Sequence, residues 1–229
     1  MTGSRLREIA RAAAAPAAAQ PELEQCEMCG EPIAPEHRHL LDLETRELKC
    51  ACRACTLLFD RRAAGGGHFR LVPDRRLRVD DLELDDARWA DLAIPVDMAF
   101  FFHKSDEGKV VAYYPSPAGP TESLLELEAW EEIERDNPLL GSLEPDVEAL
   151  LVNRARGARR QYVVPIEDCY RLVGLIRMNW RGFTGGSEVW ERIEAFFEEL
   201  DGRSKVTGAG REETTWQSSG SASRTSRST

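Results

Sequence analysis

The sequence has 229 residues, with 30 Lys and Arg against 40 Asp and Glu, which gives a formal net charge of -10 at pH 7. Its length and its content of 42% hydrophobic and 31% charged residues are typical of a globular protein with one or two modest domains. No run of 18 apolar residues occurs, which excludes a membrane-spanning helix. The acidic balance argues against a general nucleic-acid binder.

The negative charge is concentrated in one part of the chain. Residues 79–200 carry 12 basic and 26 acidic side chains, whereas residues 26–78 carry 10 basic and 8 acidic side chains. We therefore expect four regions. They are an Ala-rich helix and linker (1–21), a cysteine-bearing module (22–78), an α+β domain (79–200) and a disordered tail (201–229) rich in Ser, Thr, Gly and Arg.

The N-terminal region does not have the pattern of a secretory signal. Its alanines are weakly apolar and Pro16 interrupts them, so we expect a cytoplasmic protein. Five of the six cysteines lie within residues 26–55. In a reducing compartment, such clustering indicates metal or redox chemistry rather than a disulfide framework.

Two Cys-x-x-Cys pairs, Cys26/Cys29 and Cys52/Cys55, are separated by 22 residues. A turn of this kind aims two sulfurs at one tetrahedral ion, at bond lengths of about 2.3 Å. Gly30 suits a tight turn that requires positive φ. The alternation between the pairs predicts a β-hairpin, with strands over 39–43 and 47–50, so the layout predicts a zinc ribbon with four cysteine ligands.

The same four ligands leave several chemistries open. The ion is a structural zinc, a rubredoxin-type iron or part of an iron–sulfur cluster, or the cysteines act as a metal-free redox dithiol. Cys50 is either a small packing residue or an additional ligand or redox thiol. His37 and His39 lie near the first pair and are candidate ligands or hydrogen-bond partners of ligands, although histidines also occur commonly as surface residues.

The acidic region repeats one order of elements. Strands are predicted over 93–103 and 110–114, followed by a helix that begins at Thr121 or Ser123 and ends near residue 136. A second pair of strands, 147–152 and 161–164, precedes helices over 165–180 and 187–200. This order predicts an α+β domain in which an antiparallel sheet carries its helices on one face.

We find no catalytic motif in the sequence: it contains no GxSxG, HExxH, P-loop or GxGxxG pattern. Cys169 fits an apolar helical pattern and is expected in the core. Two surfaces are candidates for binding a partner protein, although both also fit ordinary turns. Their residues are Arg154, Arg156, Arg159 and Arg160 in one turn and Trp180 and Arg181 in a Gly-rich corner.

Several segments resemble the DUF5947 family of unknown function. They include Cys26-Glu-Met-Cys-Gly, His37-Arg-His-Leu-Leu-Asp-Leu, Cys50-Ala-Cys-Arg-Ala-Cys and Tyr170-Arg-Leu-Val-Gly-Leu-Ile-Arg. The resemblance covers about residues 22–200. Because genes of this actinobacterial family often lie near those of uptake nickel–iron hydrogenases, the resemblance implies an accessory role in assembly or electron transfer.

The sequence therefore predicts a non-enzymatic accessory protein that binds a metal, with zinc at Cys26, Cys29, Cys52 and Cys55. The expected partners are proteins, among them hydrogenase subunits or maturation factors. An alternative is a redox protein that carries iron or an iron–sulfur cluster in the same thiolate cage. A ribbon-type nucleic-acid-binding protein is a further alternative, for which the module has little positive charge.

Overall fold

A computed structural model describes residues 24–59 and 67–207. The predicted helix and linker (1–21) and most of the predicted tail lie outside the described residues. In chain order the elements are β1 (Arg38–Asp42), β2 (Leu48–Ala51), α1 (Arg53–Phe59), β3 (Phe69–Leu71), β4 (Leu77–Arg78), α2 (Asp86–Asp91), β5 (Met98–Lys104), β6 (Lys109–Ser116), β7 (Gly119–Ser123), α3 (Leu127–Asp136), β8 (Glu148–Asn153), β9 (Arg160–Pro165), α4 (Ile166–Asn179), α5 (Gly186–Arg203) and β10 (Lys205–Val206).

The cysteine module contains a three-stranded antiparallel sheet in the order β2-β1-β3. The predicted hairpin between the two cysteine pairs is confirmed, with Arg46 at a φ of 60° in its turn. One face of the hairpin carries Leu40 and Ala51, which pack with Ile33, Cys26 and Cys55 in a small apolar cluster. This cluster is too small to resemble the core of an independent domain.

The larger sheet has seven strands in the order β10-β4-β9-β8-β5-β6-β7. All neighbours are antiparallel except β10 and β4, so the α+β class is confirmed while the sheet is mixed. Strand β7 occupies a segment where the sequence predicted the start of a helix. Strand β6 passes through Pro115 because its last pair with β5 is at Tyr113, and beyond that point β6 borders only the edge strand β7.

The prediction that the helices cover one face of this sheet is wrong. Helices α4 and α5 pack on the face that carries Phe100, Phe102 and Leu151, whereas α2 and α3 pack on the face of Phe101 and Leu150. The central strands are buried on both faces, and they read in the sequence as continuous apolar runs rather than as alternating ones.

The ordered structure continues beyond residue 200, where the sequence placed the start of the tail. Helix α5 ends at Arg203, and β10 then pairs with β4, which belongs by sequence to the cysteine-bearing region. Cys169 is 1% exposed in the core between the sheet and α4, as predicted. Among the described residues, no helix combines the length and the apolar character needed to cross a bilayer.

A buried carboxylate joins the cysteine module to the larger sheet. Asp146 is fully buried just before β8 and accepts hydrogen bonds from Arg46 Nη1 at 2.8 Å and from the backbone N–H of Ser105 at 3.1 Å. Arg70 on β3 approaches the second carboxylate oxygen to 3.3 Å. Burial alone raises the pKa of Asp146, but the hydrogen bonds from Ser105 and the nearby Arg46 hold it below its usual value.

A second junction joins the module to the start of helix α4. Arg76 is 7% exposed and donates from Nε to Asp168 at 2.6 Å and from Nη2 to Glu167 at 3.0 Å. Glu167 also accepts a hydrogen bond from His39 Nδ1 at 2.8 Å. The cysteine module is therefore held against the α+β body by the ion pairs of Arg76 and by the hydrogen bond from His39, and such contacts fix orientation because their donors need directed partners.

We expect Asp146→Asn to lower the free energy of unfolding by about 2 kcal/mol, because Arg46 loses a charged hydrogen-bond partner and Arg70 loses its counter-charge. A carboxylate with a lowered folded-state pKa stabilises above the unfolded-state pKa of about 3.9, and this contribution is lost as the pH falls. The gap between wild type and variant in urea denaturation should therefore shrink in acid. Asp106→Asn, in the exposed β5–β6 turn, is the control, and equal midpoints for both variants at neutral pH would contradict the assignment.

Candidate metal centre

Four cysteine sulfurs converge at the base of the hairpin. The sulfurs of Cys26, Cys29, Cys52 and Cys55 all lie within 4.8 Å of one another, and Cys29 Sγ is 3.8 Å from Cys52 Sγ. Two sulfurs that share one tetrahedral ion at bond lengths of about 2.3 Å are separated by about 3.8 Å. The structure therefore brings together the four cysteines that the sequence paired by spacing, at separations that suit one ion.

The first cysteine pair lies in a tight turn. The Gly30 N–H donates to the carbonyl of Cys26 at 2.8 Å, and Gly30 has the predicted positive φ, at 78°. The turn is tied to the hairpin because Glu27 N–H donates to the carbonyl of Cys50 on β2 at 2.9 Å. The Cys26 N–H donates to the carbonyl of Glu31 at 2.8 Å, and this hydrogen bond joins the two ends of the turn.

The second cysteine pair lies where strand β2 passes into helix α1. Cys52 directly precedes the helix and Cys55 lies in its first turn, where the N–H of Cys55 is 3.5 Å from the Cys52 sulfur. The N–H of Thr56 donates to the Cys52 carbonyl at 2.9 Å. The strand-to-helix transition thus turns both sulfurs toward the first pair, as an ion shared between two chain segments requires.

The environment of the sulfurs favours one thiolate before any ion is bound. Burial by itself raises the pKa of Cys26, but hydrogen bonds from the backbone N–H groups of Cys52, Met28 and Cys29 lower it to about 6. Burial and the neighbouring sulfurs raise the pKa of Cys55. Since four thiolates at this spacing repel one another, full deprotonation needs a cation among them.

A second cluster lies on the other face of the same hairpin. His39 and Cys50 are directly opposed in the β1–β2 ladder and share one face, and the ring of His37, just before β1, lies 4.8 Å from the ring of His39 between centroids. Their ligand atoms lie within 4.8 Å of one another. These are the three residues that the sequence offered as additional ligands, and the structure brings them together.

The arginine-rich turn between β8 and β9 is largely engaged within the protein. Arg154 is 5% exposed and donates to the carbonyl of Leu84, and both Arg154 and Arg159 pair with Asp86. Arg160 pairs with Glu194 at 2.6 Å. Arg154 is therefore an internal anchor for helix α2 and is not available to a partner.

The Gly-rich corner leaves more surface free. Arg156 stacks on Trp190, with its guanidinium carbon 4.7 Å from the ring centroid. The ring centroids of Trp180 and Trp190 are 6.3 Å apart. These three residues line an open recess of about 550 Å³. Phe183 in the same corner is fully exposed, and Arg181 is exposed beside it.

Sequence reasoning missed the residues that support the clusters. Glu167 accepts the hydrogen bond that orients His39 and pairs with Arg76, and the sequence analysis identifies neither residue. Trp190 lines the recess as well, whereas the sequence analysis names only Trp180 and Arg181 at this corner. The contacts of Glu167 with Arg76 and His39 span 91 and 128 residues of sequence, so no local pattern signals them.

Comparison with known proteins gives a family without a known activity. The model of a family of unknown function, DUF5947, matches residues 25–204, which include both cysteine pairs and most of the larger sheet. Neither the curated proteins nor the solved structures contain a match to the chain.

We expect Gly30→Ala to lower the free energy of unfolding by about 1 kcal/mol, because a side chain at this positive φ strains the cysteine turn. A Cβ atom at Gly30 would meet no other atom within 4 Å, so the cost comes from the backbone alone. Gly174→Ala is the matched control, since Gly174 lies inside helix α4 without positive φ and with similar free space. This control should stabilise by about 0.5–1 kcal/mol, and equal shifts in both variants would contradict the assignment.

Proposed function

Since the chain belongs to DUF5947, a family whose description assigns no activity, we propose its function from the cysteine cluster: it is an accessory protein built around a four-cysteine centre that binds a single metal ion, zinc. The convergence of four sulfurs from two chain segments is the observation that carries this proposal. Four thiolates and no open position are typical of a structural rather than a catalytic zinc site.

The spacing of the sulfurs favours one ion over an iron–sulfur cluster. In a cluster the four thiolates are divided among two or four irons, which moves the thiolates on different irons apart. Here the distance between Cys29 and Cys52 equals the edge of a tetrahedron around one ion. A rubredoxin-type iron has the same ligands and geometry, and the exposure of Cys29 would give electrons a short path to solvent-side partners. Single-iron electron transfer is therefore the second candidate function.

A bound ion would also stabilise the cysteine module, whose apolar cluster is small. The apolar cluster beneath the hairpin contains five buried residues, of which two are the ligands Cys26 and Cys55. So few apolar contacts stabilise a fold only marginally, and small modules of this size commonly use an ion to offset the entropy of ordering. Zinc serves this role without redox chemistry, which supports it as the resident ion.

The accessory role rests on a family resemblance and on a surface. The resemblance to proteins encoded near uptake nickel–iron hydrogenases supports a role in the assembly of such an enzyme. The exposed Phe183 and the recess between Trp180 and Trp190 support a protein-binding role for this corner, because exposed aromatic residues are enriched at interfaces.

We expect Cys29→Ser and Cys52→Ser each to lower the metal content by about one ion per chain, because three thiolates no longer close the tetrahedral site. The thermal unfolding midpoint should fall at the same time. Metal content of the untagged protein is measured by atomic emission. Cys169→Ala is the control, because Cys169 lies in the core of the larger sheet. Full metal content in Cys52→Ser would contradict the ligand assignment.

Absorption spectroscopy distinguishes bound zinc from bound iron. The protein is purified under anaerobic conditions and then oxidised in air. Thiolate-bound ferric iron absorbs visible light, whereas zinc, with a filled d shell, does not. We expect a colourless protein with zinc bound. A coloured protein whose iron content matches the absorbance would replace the zinc proposal with the electron-transfer one.

The hydrogenase role predicts that deletion of the gene lowers hydrogen uptake by the host. Complementation with the wild-type chain should restore uptake, whereas Cys52→Ser should not, because its metal centre is lost. Phe183→Asp tests the corner as a partner surface, and Met178→Asp, which changes an exposed apolar residue on α4, is its control. Unchanged hydrogen uptake after deletion would contradict the hydrogenase role. It would not contradict the proposal of a four-cysteine metal centre.

A further inference from the structure

We propose that His37, His39 and Cys50 form a second metal site, separate from the four-cysteine centre, that binds a divalent transition-metal ion of the zinc, cobalt and nickel class. Two imidazoles and one thiolate are a ligand set that such ions prefer over magnesium or calcium. One ring nitrogen of each histidine and the Cys50 sulfur lie within 4.8 Å of one another, as a shared ion requires. The proposal does not depend on the four-cysteine centre, because no ligand is shared.

His37 presents a buried nitrogen that has no partner. Its side chain is 9% exposed, and its Nδ1 lies 2.9 Å from the carbonyl of Ala34. Since a carbonyl only accepts, Nδ1 carries the proton, and Nε2 of the neutral ring keeps its lone pair. Nε2 is buried and makes no hydrogen bond. A buried acceptor without a partner is costly in free energy, and a metal ion would satisfy it.

His39 is oriented in the same way by a carboxylate. Its Nδ1 donates to Glu167 Oε2 at 2.8 Å, which leaves the Nε2 lone pair free for an ion. A metal-binding histidine commonly donates its other ring N–H to a carboxylate or a carbonyl, which fixes the tautomer and strengthens the ligand. His39 has the carboxylate and His37 has the carbonyl, so both rings have the supporting contact typical of ligands. Their centroids are 4.8 Å apart.

Cys50 supplies the third ligand from the neighbouring strand. It is the cross-strand partner of His39, so the hairpin register itself places the sulfur beside the imidazole. Both histidines also line a cleft of about 530 Å³, together with Arg76 and Glu167. Three protein ligands, two of them lining this cleft, leave a fourth position for water or an external ligand, the arrangement that distinguishes exchangeable and catalytic sites from structural ones.

The site is tested by metal titration of the full-length, untagged protein. The chain is stripped with a chelator under reducing conditions and titrated with Co²⁺ and, separately, with Zn²⁺. We expect wild type to bind two ions per chain and His37→Gln and Cys50→Ser to bind one. X-ray absorption of the zinc form should show nitrogen and sulfur ligands in wild type and sulfur alone in His37→Gln. His68→Gln, a histidine paired with Glu44 outside the cluster, is the control and should keep both ions.

A supporting variant tests how the site is held together. Glu167→Gln keeps an acceptor for His39 but removes the carboxylate charge, so the second ion should bind about 10-fold more weakly while the first is unchanged. The ion that remains in His37→Gln shows that the variant is folded. One ion with sulfur ligands alone in wild type, or two ions in His37→Gln, would overturn the proposal. If the four-cysteine proposal failed instead, wild type would bind one ion with nitrogen ligands, and His37→Gln would remove it.

Discussion

The register of the β1–β2 hairpin is the constraint on which both metal-ligand clusters depend. Pairing His39 with Cys50 places Leu40 and Ala51 on the opposite face, where they pack against Cys26 and Cys55. A slip by one residue would move every side chain to the wrong face and separate both clusters. The same ladder therefore decides which face of the hairpin packs against Cys26 and Cys55 and which face carries His39 and Cys50.

The hairpin is positioned on the α+β body by carboxylates with little solvent access. Asp146 binds the hairpin turn through Arg46, and Glu167 binds strand β1 through His39. Because Glu167 belongs to α4, the larger domain takes part directly in orienting a candidate ligand of the smaller module. Metal binding at the proposed second site would therefore be coupled to the docking of the hairpin through one carboxylate.

Much of the fold was predictable because its signals are local. The hairpin follows from alternation, and the strands at β5 and β8 follow from apolar runs. Apolar runs without alternation are typical of strands that are buried on both faces. The order of strands and helices by itself does not show this, and it led to the wrong prediction that helices cover one face of the sheet. Strand β7 was missed because Pro120 and Gly119 resemble a loop, and a proline is tolerated at a sheet edge that only the topology defines.

The sequence by itself determined the set of four clustered cysteines, since Cys-x-x-Cys spacing orients two sulfurs through the geometry of one turn. Tertiary structure decided the second cluster, because the nitrogen atoms that His37 and His39 leave free depend on where their other ring atoms find partners. Ala34 is three residues from its histidine, whereas Glu167 is 128 residues from His39. Spacing therefore identifies ligands that share a turn, whereas the orientation of a candidate ligand such as His39 by a distant carboxylate becomes visible only when the chain is folded.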